Sequence, residues 1–355
     1  MEGVEVTDRS FWAGRRVLVT GHTGFKGAWL SLWLERLGAQ VTGLALPPES
    51  PDGAFSVFTP WPSLESHLAD LRDADAVEGV IEATAPEVVF HLAAQSLVGR
   101  GWAHPADTYA VNVVGTAHLL EAVSRVRSVQ AVVVVTSDKV YANNGTGGPF
   151  REDSPLGGAD PYSASKAATE HVVTAWRAGN PEVPIATVRA GNVIGGGDVA
   201  DDRLLPDAWR ALLAAKDFVV RHPDATRPWQ FVLEPLAGYL LVAERLAENS
   251  ADFPPAVNFG PAQSACWPVA QIADAVLDAW GEGRWVEDRD PAAPPETPDL
   301  SIDATLATRT LGWRPRLDID TAIRWTVEWW RATASGSDLR SLASDQITAY
   351  EKLLV

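Results

Sequence analysis

RVLVTGHTGFKGAWLSLWLERLG, residues 16–38, is the stretch that decides the fold. Residues 16–20 are a short β-branched run that stops at Gly21, and residues 29–38, WLSLWLERLG, read as a helix. Between the two stand Gly21, Gly24 and Gly27. Glycines at such a junction allow a tight turn and let a pyrophosphate approach backbone N–H groups at a helix start. An ordinary strand-to-helix turn does not require three glycines at fixed offsets. The spacing is GxxGxxG rather than GxGxxG, so its meaning comes from its place directly after the strand.

Outward from this junction, strands and helices alternate. VTGLAL (41–46), EVVFHLAA (87–94) and AVVVVTS (131–137) are near-continuous apolar runs, the pattern of strands buried on both faces. IATVRAGNVIG (185–195) is expected to add one more strand. Helical patterns lie at 106–126 and 163–178, and DIDTAIRWTVEWWRA (318–332) reads as an amphipathic helix with tryptophan on its packing side. Alternation of this kind gives parallel βαβ units, hence an α/β fold with a Rossmann-type doubly wound parallel sheet. Beyond residue 195 the pattern becomes irregular and richer in Pro and Trp, as a smaller C-terminal substrate-binding lobe would be. The expected division is a dinucleotide-binding domain over 14–190, to which 229–260 return, and a substrate lobe over 191–228 and 261–350. The stretch 287–299, EDRDPAAPPETPD, reads as linker, with Glu296 a solvated loop carboxylate.

At 355 residues the chain exceeds what one core usually organises, in keeping with two lobes. A net charge of -17 argues against a nucleic-acid partner, which needs a basic stripe, yet leaves room for anionic small molecules held by a few arginines. No run approaches the roughly 18 apolar residues of a membrane helix. The segment MEGVEVTDRS lacks the pattern of a secretory leader, and the one cysteine, Cys266, rules out an internal disulfide. A cytoplasmic location and a structural thiol are expected, and no metal site is read.

The chemistry concentrates in two places. Tyr162 and Lys166 in YSASK lie four residues apart on a helix, so phenol and ammonium share a face, where the cation is expected to lower the phenol's pKa. Ser137-Asp138-Lys139 follows the strand at 131–137, where the sheet would present it to a ligand. The chain has five lysines, and three of them, Lys26, Lys139 and Lys166, fall within these motifs. In a chain that prefers arginine, those sites ask for an ammonium.

With these residues in view, the chain resembles the extended short-chain dehydrogenases/reductases acting on nucleotide sugars, and among them the CDP-glucose 4,6-dehydratase group. The resemblance runs from FWAGRRVLVTGHTGFKGAWL (11–30) through HLAAQSLV (91–98), TSDKVY (136–141), DPYSASKAA (160–168) and VRAGNVIGGGD (188–198). It continues through RPWQFVLEPLAGYL (227–240), NFGP (258–261) and LGWRP (311–315), nearly the whole chain. It implies an NAD cofactor held by Gly21, Gly24, Phe25, Gly27, Asp70, Leu71, Ala93, Tyr162 and Lys166. It also implies a nucleotide-sugar substrate contacted by Asn192, Arg203 and Arg227. VTGLALPPES offers no acid for the ribose before Glu49 and no arginine for a 2′-phosphate, so NAD is expected and NADP stays open. Asp70-Leu71 reads equally as an adenine contact or a surface turn.

By the same resemblance, Tyr162 with Lys166 would deprotonate the sugar C4 hydroxyl, Ser137 would bind the C4 oxygen, and Asp138 would protonate the departing C6 oxygen. Lys139 takes the place of the glutamate that serves as C5 base in dTDP-glucose dehydratases. Either it is that base or it pairs with a phosphate or an acid. Family members commonly form homodimers through two helices, for which 106–126 and 163–178 are the candidates. The chain departs from the group's pattern at VYANN (140–144), Val199 and Phe231, and these changes are expected close to the sugar or the nucleotide. A nucleotide-sugar epimerase on the same fold is the alternative, needing Tyr162 and Lys166 but no acid at Asp138. An NAD-binding protein without turnover would have no use for the Ser137, Tyr162 and Lys166 set.

Overall fold

The computed structural model of the chain describes residues 8–145, 148–248, 252–262, 266–288 and 300–354. The linker reading at 287–299 and Glu296 fall largely or wholly outside these. Seven strands carry the frame: β1 (Arg16–Thr20), β2 (Gln40–Ala45), β3 (Leu64–Leu68), β4 (Val88–His91), β5 (Ala131–Val135), β6 (Ile185–Ala190) and β7 (Ala256–Phe259). They form a parallel sheet of order β7-β6-β5-β4-β1-β2-β3. The main helices are α1 (Phe25–Leu37), α2 (Ala74–Thr84), α3 (Gly115–Arg125), α4 (Pro161–Gly179), α5 (Leu204–Leu213), α6 (Leu233–Glu248), α7 (Ile319–Ala334) and α8 (Leu339–Leu354).

The apolar runs behave as strands covered on both sides. Alternate residues enter different cores: Val17, Val19, Phe90 and Val133 join Trp29, Trp33, Tyr239 and Trp329 on one face. Leu18, Val89, Val132 and Val134 join Ile81, Leu119, Val123 and Val173 on the other. Successive side chains point to opposite faces, so a run apolar at every position needs helices on both. The order reverses between β4 and β1, and the loops leaving these strands open a crevice at their C-terminal ends. The expected doubly wound sheet is present.

Three local expectations change. The helix read over 106–126 is broken into Pro105–Tyr109, a π-helical turn at Ala110–Val114, and α3. The turn leaves the Asn112 carbonyl to accept from the hydroxyls of Thr116 (2.6 Å) and Thr169 (2.9 Å), in place of a regular backbone ladder. The single strand read over 185–195 ends at Ala190, and Val193–Ile194 pairs instead with Gln230–Phe231 in a separate ladder. Edge strand β3, LESHL, carries no strand pattern in the sequence: three polar residues separate its two leucines, and all five positions stay at least partly exposed.

α7 confirms the tryptophan side: Trp329 and Trp330 are buried, with Trp329 lying where a β-carbon on Gly196 would fall 2.1 Å away. Cys266 sits partly buried in Cys266–Pro268, and burial pushes its thiol pKa up, as suits a structural thiol. Among the described residues no helix is long and apolar enough to cross a membrane, and no cluster of His, Cys, Asp or Glu could hold a metal ion.

Candidate active site

The glycine junction closes as its spacing requires. Gly21 takes φ +74°, and a β-carbon on it would lie 2.7 Å from the Ala93 nitrogen, so the end of β1 presses against the loop after β4. A β-carbon on Gly27 would lie 2.1 Å from the Gly21 carbonyl oxygen. α1 starts from Gly24 with no side-chain cap and no acidic residue in its first turn. Its first N–H groups and the positive end of its dipole therefore face the crevice, an arrangement that suits a pyrophosphate.

β5 delivers the second part of the site. Thr136 is held by its hydroxyl donating 2.5 Å to Glu170 on α4, and the chain then makes a single 3-10 turn over Asp138–Val140. The Ser137 hydroxyl donates to Asp138 Oδ1 at 3.0 Å and accepts from the Lys139 N–H at 3.2 Å. Asp138 is 2% exposed, and its Oδ2 has no hydrogen-bond partner. Burial raises the pKa of this carboxyl, against the pull of Lys139, Ser137, Arg227 and Lys26. Raising the pKa of a buried carboxyl favours its protonated form, the form that can donate a proton.

α4 brings the third part. Asp160 caps it by accepting from the Ser163 N–H, and Pro161 stands in its first turn. Tyr162, Lys166 and Glu170 then follow at four-residue intervals on one face. Lys166 Nζ donates to the Val135 carbonyl at 3.0 Å, and burial, with Lys26 nearby, lowers its pKa to about 7. The expectation that Lys166 lowers the pKa of Tyr162 does not describe this geometry. Burial raises the phenol, and the groups that pull it back are Ser137 and Arg203.

These parts meet at a cavity of about 580 Å³, whose walls include Phe25, Ser137, Asp138, Lys139, Tyr162, Asn192, Arg203 and Arg227. Its size is that of a small-molecule site. Arg227 is buried and donates to the Thr226 carbonyl at 2.8 Å. Arg203 is fixed by Asp198 (2.8 Å) and Ser96 (3.3 Å). Gly21, Gly24, Gly27, Asp70, Leu71, Ala93 and Lys166 lie outside these walls, at or behind the strand ends. The Asp70 carboxylate is bound by Arg72, which also reaches Asp107. Leu71 packs into the space left by Gly115, where a β-carbon would fall 2.8 Å from its own.

The expected place of the departures is corrected. Phe231 is fully buried between Trp29 and Trp325, with ring centroids at 6.0 and 5.3 Å. Val140 is buried, Tyr141 stacks on Phe150 at 5.0 Å, and Val199 packs beside Gly53. None of these four lines the cavity. They are packing residues, and the sequence could not show which way their side chains point. Residues that sequence reasoning did not assign do line it: Lys26, Trp102, Trp229 and Trp330. Lys26 carried a signal, as one of so few lysines. The tryptophans carried none beyond their abundance, 15 in the chain.

Residues 17–259 match the model of the NAD dependent epimerase/dehydratase family. The chain belongs to that family. Among its relatives is a CDP-glucose 4,6-dehydratase of Salmonella typhimurium, 43% identical over 97% of this chain and 98% of the relative. Among solved structures, an NAD-dependent NDP-hexosamine 5,6-dehydratase of tunicamycin biosynthesis superposes with a TM-score of 0.77 at 27% identity, over 90% of this chain and 98% of that one. A dTDP-glucose 4,6-dehydratase from Bacillus anthracis in complex with NAD has the same TM-score at 19% identity, covering 92% and 100%, and shares the fold. As an enzyme of the epimerase/dehydratase family the chain uses NAD, and the uncapped start of α1 with its glycine turn fits that dinucleotide.

Proposed function

We propose that the protein dehydrates a nucleotide-activated hexose, CDP-glucose, to the 4-keto-6-deoxy sugar nucleotide. The observation that carries this reading is Asp138, a buried carboxyl with a raised pKa and an unpartnered oxygen, in the same cavity as Ser137 and Tyr162. An epimerase moves a hydride out and back and has no leaving oxygen for such an acid to protonate. The relative of nearly full length that is a CDP-glucose 4,6-dehydratase supports the same choice.

Bound NAD supplies the hydride acceptor for C4 and the hydride donor for C6. The glycines 21, 24 and 27, with Phe25, Ala93, Asp70, Leu71, Tyr162 and Lys166, are assigned to hold it. Tyr162, as the phenolate that Ser137 and Arg203 favour against burial, takes the proton of the C4 hydroxyl, and Ser137 hydrogen-bonds the C4 oxygen. Once C4 is a ketone, the C5 hydrogen is acidic, and Lys139 beside Asp138 removes it. Asp138 gives its proton to the C6 oxygen, which leaves as water. Arg203 and Arg227 are assigned to the diphosphate, for which a guanidinium fork is suited, and Asn192 to the sugar side. This assigns 14–190 with 229–260 to NAD and 191–228 with 261–350 to the sugar nucleotide. A homodimer through 106–126 and 163–178 is consistent with the exposed Tyr109 and Val114 in the first of these segments, and a cytoplasmic location with the family's chemistry.

The test is incubation with CDP-glucose and NAD, followed by mass measurement of the sugar nucleotide. Loss of one water is expected. An altered sugar of unchanged mass would instead make the protein an epimerase. The dTDP, UDP and GDP sugars in parallel test the base.

A further inference from the structure

Lys26 is the one lysine of the glycine turn, GHTGFKG, and the proposed steps leave it without a role. Its backbone lies in the first turn of α1, but its side chain crosses to α6, where Nζ stands 3.5 Å from the Tyr239 hydroxyl. Tyr239 is fully buried, its ring edge-on to Phe259. Lys26 lines the same cavity as Asp138. Among the described residues no carboxylate stands within 4.0 Å of its Nζ, so it is a cation without a contact ion pair. The charged groups that act on it are Arg203, Asp138 and Lys166. Burial and Arg203 lower its pKa to about 8, against Asp138, so it stays mainly protonated at neutral pH.

Asp138, in the wall of the same cavity, is held through one oxygen only. Oδ1 has the Ser137 hydroxyl, while Oδ2 faces the place where a β-carbon on Gly191 would lie 2.1 Å away. Burial favours the protonated form of Asp138, which needs no counter-charge. The need arises during elimination: the C5–H bond breaks to Lys139, its electron pair forms the C5–C6 double bond, the C6–O bond breaks, and the Asp138 proton goes to that oxygen. A buried carboxylate is left behind. Lys139, now protonated, and Arg227 face it, and Lys26 is the remaining ammonium.

We propose that Lys26, held by Tyr239, is a positioning residue of the elimination step, whose charge stabilises the Asp138 carboxylate formed as water departs. This rests on the dehydratase reading and adds to it a residue contributed by the glycine loop. Fixed charge placed where charge develops acts strongly in a site closed to water, because nothing has to reorient during the step.

The test compares NAD-loaded wild type, Lys26→Met and Lys26→Arg. In single turnovers with CDP-glucose, Lys26→Met is expected to lower the rate of water loss relative to C4 oxidation by about tenfold or more, so that the 4-keto hexose accumulates. Lys26→Arg, which keeps the charge, restores most of the ratio. Independently of turnover, the carboxyl stretch of protonated Asp138, assigned by its disappearance in Asp138→Asn, is followed by infrared titration. Loss of Lys26 should move its midpoint up by about one pH unit, a tenfold change in proton affinity. A midpoint that does not move in Lys26→Met overturns the proposal, whatever the rates do. If wild type dehydrates no nucleotide hexose, the dehydratase reading fails by itself, and the titration still decides whether Lys26 and Asp138 are coupled.

Discussion

Gly191 stands so close to Asp138 that even a methyl group must displace the carboxyl or Pro228, whose Cγ would lie 2.8 Å from it. Gly191→Ala should therefore slow water loss at least as much as it destabilises the fold, where overpacking costs ~1–3 kcal/mol. Turnover and urea midpoint measured on one preparation check this. Asp138→Asn should still oxidise C4 and release water ~10²-fold or more slowly, the usual weight of a positioned acid, so that the 4-keto hexose builds up in a quenched reaction. An unchanged elimination rate would remove Asp138 from the acid role. Tyr162→Phe should abolish hydride transfer, read as absence of the nicotinamide absorbance change in a single turnover. Ser137, Asp138, Tyr162 and Lys166 were legible because each pair is joined by short sequence spacing. The pairing of Lys26 with Tyr239 was not, since 213 residues separate them. Phe231 was misread for a related reason: it follows Arg227 and Gln230 in sequence, while its side chain faces Trp29 and Trp325.

Between elements, the Asp138 turn is tied at both ends to one buried ion pair. Glu170 on α4 accepts from Thr136, Thr187 and Arg189, and Arg189 on β6 donates onward to the Tyr141 hydroxyl at 2.9 Å. Tyr141 in turn donates to Asn258 on β7 at 2.6 Å. Both charged side chains are nearly inaccessible, 4% and 3% exposed. Arg189→Met would leave Glu170 uncompensated and should cost ~3–5 kcal/mol, read as a lowered urea midpoint. Because Thr136 and Tyr141 bracket the turn, the variant should also lose turnover at temperatures where it remains folded. Strand and helix identity was legible wherever one period ran unbroken, as in β1, β4 and β5. It failed at 185–195, where the turn at Gly191 interrupts an apolar run. It failed again at 106–126, where a π-turn at Asn112 leaves the hydrophobic period almost unchanged.

For the molecule as a whole, two buried carboxyls couple stability to pH. Glu234 accepts from the Arg316 and Leu317 N–H groups and from the Tyr350 hydroxyl, Glu244 accepts from Trp12, and burial raises each pKa to about 7. A raised carboxyl binds its proton more tightly folded than unfolded. Its contribution is therefore full below the unfolded value of 4.5 and is lost as pH rises through about 7, at most ~3 kcal/mol apiece. Urea midpoints should fall between pH 5 and 7.5, and Glu234→Gln, which can keep all three contacts, should flatten part of that slope. An identical slope in the variant would remove Glu234 as a source. The parallel sheet was legible as a class, while this tie between α6 and α8 was not, since it joins residues far apart in the chain. That tie bears on how the enzyme is made. Synthesis proceeds from the N-terminus, so the glycine loop, the Asp138 turn and Tyr162 all leave the ribosome before Tyr239, and Tyr239 before the Tyr350 that anchors its helix. A nascent chain therefore holds the glycine turn and the Asp138 turn before it has made Trp330, the residue of α7 that completes the cavity wall beside them.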